Sequence, residues 1–294
     1  MRKKTGLIVA VCLALLLSGC APTAATVKDD QLTIVSSFLP MYIFTANLID
    51  GVEGVTLTNM AAPDIGCLHD YQLLPTDMAK LESADIFVFN GADMESFLTE
   101  IAARNSDVIT IEAAQGISLL PMPDGSDNPH VWLSIPLAIA EVRNISLGLQ
   151  AADPAHQAQY KANETAYVAR LEALDLRYRT ELAAITRREI ITFHEAFPYL
   201  AAEYSLTIAA VIEREPGSEP TAFELASTID LIREKKITSL FAEPQYSSRI
   251  AETIAAETGA TIYLLDPVVT GAADALTYEQ KMAENLDVLL QALK

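Results

Sequence analysis

The stretch DPAHQAQYKANETAYVARLEALDLRYRTELAAI, residues 153–185, decides the architecture of this chain. After Pro154, which suits a first helical turn behind Asp153, no Gly or Pro interrupts it. The pattern predicts a helix of about 32 residues and about 48 Å, against an average of about 11–12 residues. Such a helix either joins two lobes or packs within one domain, and its periodicity fits both. Its apolar stripe has spacings of three, four or seven: Tyr160, Tyr167, Leu171, Leu174, Tyr178, Leu182 and Ile185.

Short β-rich runs alternate with helical patterns on both sides of this helix. The helical patterns fall at residues 41–48, 76–83, 95–103, 196–203, 223–234, 249–258 and 278–293. This alternation predicts parallel sheets with helices covering both faces. The expected fold is therefore α/β, with two lobes, each a parallel sheet flanked by helices, joined by one long rigid helix. The predicted divisions are an N-terminal lobe over 31–152, the linking helix over 153–187 and a C-terminal lobe over 188–294.

The amino terminus has the features of an export signal. Three positive charges precede an apolar run over 7–17, which is short for a membrane-spanning helix of about 20 residues. The run ends in LSGC, which resembles the bacterial lipobox, where the Cys receives diacylglycerol. We predict a signal peptide over 1–19, lipidation at Cys20 and a polar tether over 20–30, with the chain held outside the cytoplasm. An ordinary signal peptide with an incidental Cys20 is the alternative.

The charge balance argues against a nucleic-acid partner. The chain has 20 Lys and Arg against 39 Asp and Glu, a formal net charge of -19, which becomes about -22 once residues 1–19 are removed. Phosphate binding needs a basic stripe, and the few basic residues are scattered. Of three cysteines, Cys12 leaves with the signal and Cys20 carries the lipid. Only Cys67 then remains, so the folded part is predicted to have no internal disulfide.

Three of the four histidines and one aspartate carry the predicted chemistry. His194 and Asp266 each follow an apolar strand-like run, and ligands of open α/β sheets gather at the carboxyl ends of strands. His69 and His130 lie in Pro- and Gly-containing loops, whereas His156, in the first turn of the long helix, is interpreted as a surface residue. Three imidazoles and one carboxylate, two donors from each half, can complete a four-coordinate Zn²⁺ site.

Five segments resemble the zinc and manganese solute-binding lipoproteins of ABC importers. They follow one another over nearly all of the mature chain: HDYQLLPTDMAKLESADIFVFNG from His69, NPHVWLSIP from Asn128, FHEAFPYLAAEYSL from Phe193, EREPGSEPTAFELASTIDLIREKK from Glu213 and LDPV from Leu265. The resemblance implies two α/β lobes with metal in the cleft between them. It also implies a monomer that delivers metal to a permease and its ATPase subunits.

Carried over by position, the resemblance makes His69, His130, His194 and Asp266 the ligands. Manganese-type members tend to have Glu where this chain has His194, and Mn²⁺ favours more oxygen donors, so Zn²⁺ is expected and Mn²⁺ is the alternative. Asp70 and Glu195, next to ligands, are candidates for orienting the imidazoles. Closure is expected from loops around His69 and His130, because a long helix resists hinge bending.

The sequence departs from the zinc-type pattern in two places. Many zinc members have a long His- and acid-rich loop between the first two ligands, whereas residues 113–127 contain no His. Cys67 precedes His69 by two residues, and as a thiolate it would be a Zn²⁺ or Cu⁺ ligand. The alternative is a small buried residue that fills the loop.

Two other function classes compete with metal transport. His194-Glu195 begins like the H-E-x-x-H helix of zinc hydrolases, but Pro198 stands where the second His is required. A catalytic zinc also keeps a position open for water, whereas four protein ligands close the site. A surface adhesin is compatible with a lipid anchor, although no residue specifically supports it. The sequence therefore predicts a carrier without enzymatic activity.

Overall fold

The two β-sheets are parallel and have four strands each. The computed structural model describes residues 31–68, 71–95, 97, 107–212, 220–245 and 247–294. The first sheet has the order β2-β1-β3-β4 and consists of β1 (Leu32–Ser36), β2 (Val55–Asn59), β3 (Ile86–Phe89) and β4 (Ile109–Glu112). The second has the order β6-β5-β7-β8 and consists of β5 (Glu189–Thr192), β6 (Thr207–Val211), β7 (Ser239–Ala242) and β8 (Thr261–Leu264). The predicted α/β class is confirmed.

Each sheet has one place where the strand order reverses. Neighbouring strands on either side of it run to the same sheet edge: β1 beside β3, with Ser36 opposite Val88, and β5 beside β7, with Thr192 opposite Phe241. Loops leaving such strands diverge and open a crevice at the carboxyl ends, the usual ligand position in open α/β sheets. The residues directly after β5 and β7 are therefore placed to meet a ligand.

Helices connect and cover the strands. The described helices are α1 (Leu39–Leu48), α2 (Pro75–Glu82), α3 (Ile135–Ala152), α4 (Gln157–Leu182), α5 (Pro198–Glu203), α6 (Ala222–Lys235), α7 (Arg249–Thr258) and α8 (Thr277–Leu293). The sequence patterns predicted most of these but no helix at α3. Helix α3 begins after Ser134, which caps its N-terminus because the Ser134 side chain accepts a hydrogen bond from the Leu137 N–H. A helix predicted over 95–103 lies largely outside the described residues.

The predicted long helix is present but shorter than expected. It has 26 residues, preceded by a 3₁₀ turn over Pro154–His156. At its end, the Leu182 carbonyl accepts a local hydrogen bond from Arg188. The N–H groups of Thr186 and Arg187 then donate to Leu293 of α8, which is a tertiary contact. The chain therefore leaves the helix to follow α8 before Ile185.

Helix α4 contacts elements from both halves of the chain. Arg170 donates to the side chain of Asn47 in α1 and to that of Glu279 in α8. Near the other end of the helix, the Tyr178 hydroxyl donates to the carbonyl of Met282 in α8. Of the two packings that the periodicity left open, the structure therefore shows the one that joins both halves.

One hydrophobic core includes residues from both sheets and from α4. It contains Ile34 and Phe87 from the first sheet, Tyr167 from α4, and Phe241 from the second sheet, each at most 1% exposed. Residues Leu32–Lys294 form a single compact unit. Among the residues that the structure describes, no helix is long and apolar enough to cross a membrane. The predicted signal peptide, tether and Cys20 lie outside the described residues.

Candidate metal centre

His194 lies at the carboxyl edge of the second sheet. It comes two residues after the end of β5, and Glu243 directly follows β7, the neighbouring strand. The two side chains meet with 3.3 Å between His194 Nδ1 and Glu243 Oε1, and they are 3% and 0% exposed. A buried carboxylate beside one imidazole nitrogen is the common way to orient the other nitrogen towards a metal.

His130 is oriented by its neighbour Asn128. Asn128 Oδ1 accepts a hydrogen bond from the His130 N–H and lies 2.9 Å from His130 Nδ1. The orientation of this amide follows from its other end, where Nδ2 donates to the Glu195 carbonyl at 2.7 Å. Since Oδ1 is an acceptor, His130 Nδ1 carries the proton and Nε2 keeps its lone pair for a metal.

Further hydrogen bonds join the loop of His130 to the C-terminal half. The Tyr199 hydroxyl donates to the Asn128 carbonyl and accepts from the Leu120 N–H. On the other side of His130, Trp132 Nε1 donates to the Pro267 carbonyl at 2.8 Å. These bonds hold the imidazole in place from both sides, and a preorganised ligand loses little entropy on binding.

Cys67, His130 and His194 form a potential metal site. Each offers a donor atom, and these atoms all lie within 4.8 Å of one another. Cys67 Sγ is 3.5 Å from His130 Nε2, and the two imidazole rings are nearly perpendicular, with centroids 4.8 Å apart. Burial raises the pKa of the Cys67 thiol well above its usual value, and the charge of Glu243 raises it further. The metal-free thiol is therefore protonated at neutral pH.

The structure brings together only part of the predicted ligand set. His130 and His194 meet, whereas His69 and Asp70 lie outside the described residues. Asp266 is not in the cluster: its carboxylate accepts from the Val268 N–H at 2.7 Å and pairs with Lys281. His156 lies outside the cluster, on the 3₁₀ turn, with Nδ1 at 2.6 Å from Asp153.

Sequence reasoning missed two residues that orient the imidazoles. Glu243 directly follows a strand, so the rule that identified His194 could have identified it as well. Asn128 stands two residues before His130, and nothing in that spacing distinguishes it from a turn residue. The backbone carbonyl of Glu195, a predicted orienting residue, accepts a hydrogen bond from the Asn128 amide.

Three features define the class of helix-linked solute-binding proteins. They are two parallel β-sheets flanked by helices, one helix packed against both halves, and buried imidazoles at a sheet edge. The family model described as zinc-uptake complex component A, periplasmic, matches residues 34–292, and the chain belongs to this family. Its members serve ABC importers outside the cytoplasm, and the chain is accordingly an extracytoplasmic transport component.

Three known proteins illustrate the similarity. The high-affinity zinc uptake system protein ZnuA of Bacillus subtilis is 31% identical over 99% of this chain and 98% of its own length. A ZnuA deletion mutant with zinc bound has 32% identity and a TM-score of 0.79, covering 90% of this chain and 98% of that one. FpvC from Pseudomonas aeruginosa, in complex with Mn²⁺, has 29% identity and a TM-score of 0.79 over the same shares.

Proposed function

We propose that this chain binds one Zn²⁺ outside the cytoplasm and delivers it to the permease of an ABC importer. The observation that carries the proposal is the pair of buried imidazoles, His130 and His194, at the carboxyl edge of the second sheet. Each has an oxygen beside Nδ1, from Asn128 and Glu243, which directs Nε2 towards a common ion. Relatives named for zinc uptake and a zinc-bound neighbour support the choice of ion.

The predicted ligands His69, His130, His194 and Asp266 complete the proposed site. His69 follows Cys67 by two residues in the sequence, and its inclusion rests on the resemblance to the family. Three neutral nitrogens and one carboxylate suit Zn²⁺ better than Mn²⁺, because Mn²⁺ favours carboxylate, carbonyl and water oxygens. A neighbour with Mn²⁺ bound keeps manganese as the second candidate ion.

The proposed partners follow from the family and from the amino-terminal sequence. A lipid on Cys20 would hold the carrier at the membrane, beside a permease and its ATPase subunits, and the carrier would act as a monomer. Substitution of Cys20 by Ala is expected to move the protein from the membrane fraction to the soluble extracytoplasmic fraction. Retention in the membrane fraction would contradict lipidation at this residue.

We propose transport without catalysis. In the described structure Pro198 begins α5, so a second imidazole cannot stand one turn after His194. Four protein ligands also leave no position for an activated water. Zinc-dependent turnover of peptide or ester substrates by the purified chain would contradict this part of the proposal.

The test is elemental analysis and competition titration of the detergent-solubilised full chain. The parent is expected to bind about one Zn²⁺, and His194→Ala to lose it, because a buried donor disappears. His156→Ala is the matched control: it removes an imidazole on the 3₁₀ turn and should bind zinc like the parent. Undiminished binding by His194→Ala would overturn the proposed site.

A further inference from the structure

Cys67 lies beside two of the proposed ligands but is not itself in the ligand set. This inference rests on the proposed function. For a tetrahedral zinc ion with Zn–S of about 2.3 Å and Zn–N of about 2.0–2.1 Å, sulfur and nitrogen are about 3.6 Å apart. Cys67 Sγ and His130 Nε2 are 3.5 Å apart. We propose that the Cys67 thiolate is a metal ligand, together with His130 and His194.

The surroundings of Glu243 independently indicate that a cation binds beside His194. Its side chain is 0% exposed, and Oε1 accepts no hydrogen bond from the residues that the structure describes. Gln245 donates only to Oε2. A buried carboxylate with an unsatisfied oxygen is costly unless positive charge compensates it. A divalent cation bound to His194, whose Nδ1 is 3.3 Å from that oxygen, provides the charge through the imidazole.

Ligation converts the Cys67 thiol to a thiolate. The S–H bond breaks, the sulfur–metal bond forms with the electron pair of sulfur, and water takes the proton. No oxidant or reductant is involved. The charge of the bound cation, absent from the metal-free protein, drives the exchange of proton for metal.

A sulfur ligand changes which ions the site prefers. Soft thiolate favours Zn²⁺ and Cu⁺ and disfavours Mn²⁺, whose preferred donors are oxygens. Cys67 therefore contributes, with His194, to selection against manganese. It also provides a fourth donor even while Asp266 remains paired with Lys281.

The test uses Co²⁺ as a spectroscopic probe of the detergent-solubilised full chain. Thiolate bound to Co²⁺ gives a charge-transfer absorption in the near ultraviolet that nitrogen and oxygen ligands do not give. The parent is expected to show this absorption, and Cys67→Ser to lose it. Cys20→Ala is the matched control: it removes the other cysteine of the mature chain and should retain the absorption.

Zinc competition titration separates this inference from the proposed function. Cys67→Ser is expected to weaken zinc binding at least about tenfold, the lower bound of what loss of a ligand-orienting group costs. A parent that binds zinc but shows no charge-transfer absorption would overturn the role of Cys67 and leave the carrier function standing. A parent that binds no zinc would overturn the function itself. Because the parent spectrum needs no substitution, a poorly folded variant would not leave the inference untested.

Discussion

Asn128 Oδ1 lies 2.9 Å from Nδ1 of His130, and the same oxygen accepts the backbone N–H of His130. One side-chain amide therefore sets both the ring orientation and the tautomer of the imidazole. The other end of that amide donates to the Glu195 carbonyl, one residue beyond His194. The two imidazoles of the site are thus linked through Asn128.

Replacement of Asn128 by Ala is expected to weaken zinc binding by about 10–100-fold, the usual cost of losing a group that orients a metal-bound His. The stoichiometry should not change, because the donors remain. The measurement is competition titration with a chromogenic chelator.

Asn144→Ala is the matched control for this substitution. Asn144 lies on α3, and its amide donates to the carbonyls of Ala113 and Gln115, away from the imidazoles. It should bind zinc like the parent. Equal affinities for all three proteins would show that Asn128 does not orient His130 for metal.

The Lys281–Asp266 pair predicts a competition between lysine and metal. If Asp266 becomes a ligand, Lys281→Met removes its competitor and should raise zinc affinity about fivefold, about 1 kcal/mol for a partly exposed ion pair. Met keeps most of the side-chain length beside Gly271. The measurement is the same titration, repeated in an Asp266→Ala background.

In that background the Lys281 substitution should have no effect, because the carboxylate for which lysine and zinc compete is gone. A gain that persists without Asp266 would show that Lys281 acts on the metal through its charge alone. A parent and an Asp266→Ala variant with equal affinity would remove Asp266 from the ligand set.

Glu141 on α3 gives a pH-dependent prediction for stability. It is fully buried, and neither carboxylate oxygen accepts a hydrogen bond from the described part of the chain. Burial raises the pKa of Glu141 well above its usual value, and the charge of nearby Glu95 raises it further. The pKa of Glu95 is itself raised to about 7, chiefly by burial.

A raised folded-state pKa means that the folded protein holds this proton to higher pH than the unfolded chain does. The contribution of this proton to the free energy of unfolding is therefore fully present below the pKa of the unfolded chain, about 4.3. It is lost as the pH rises through the pKa of the folded protein. Glu141→Met, which does not titrate, should be more stable than the parent by about 1–3 kcal/mol at neutral pH. The gain should increase with pH.

Chemical denaturation at several pH values measures this gain. Glu234→Met, an exposed position on α6, is the control and should change stability by less than about 0.5 kcal/mol at every pH. A parent that gains stability relative to Glu141→Met as the pH rises would contradict the burial argument.

The packing of α4 predicts that zinc binding involves little motion of the two halves. Arg170 joins α1 to α8 across this helix, and Tyr178 adds a buried bond to Met282. Small-angle scattering profiles with and without zinc should therefore superimpose, with changes confined to loops near the site. A marked compaction on zinc addition would contradict local closure.

Much of the fold could be predicted because hydrophobic periodicity is a local signal. The parallel strands and the stripe on α4 were predicted on that basis. Helix α3 was missed. The end of α4 was placed three residues late, because the N–H groups of Thr186 and Arg187 donate to Leu293 of α8, a contact remote in sequence.

The sequence by itself determined which residues stand at strand ends, and so identified His194 and Asp266 as candidate ligands. Only the tertiary structure decided which donors meet. Cys67 and His130 come together because separate loops converge at one sheet edge. The sequence of neither loop predicts the distance between Cys67 Sγ and His130 Nε2. The engagement of Asp266 by Lys281 was equally hidden, since it depends on how α8 packs beside β8. Periodicity is read along the chain, whereas coordination geometry is set by packing between segments remote in sequence.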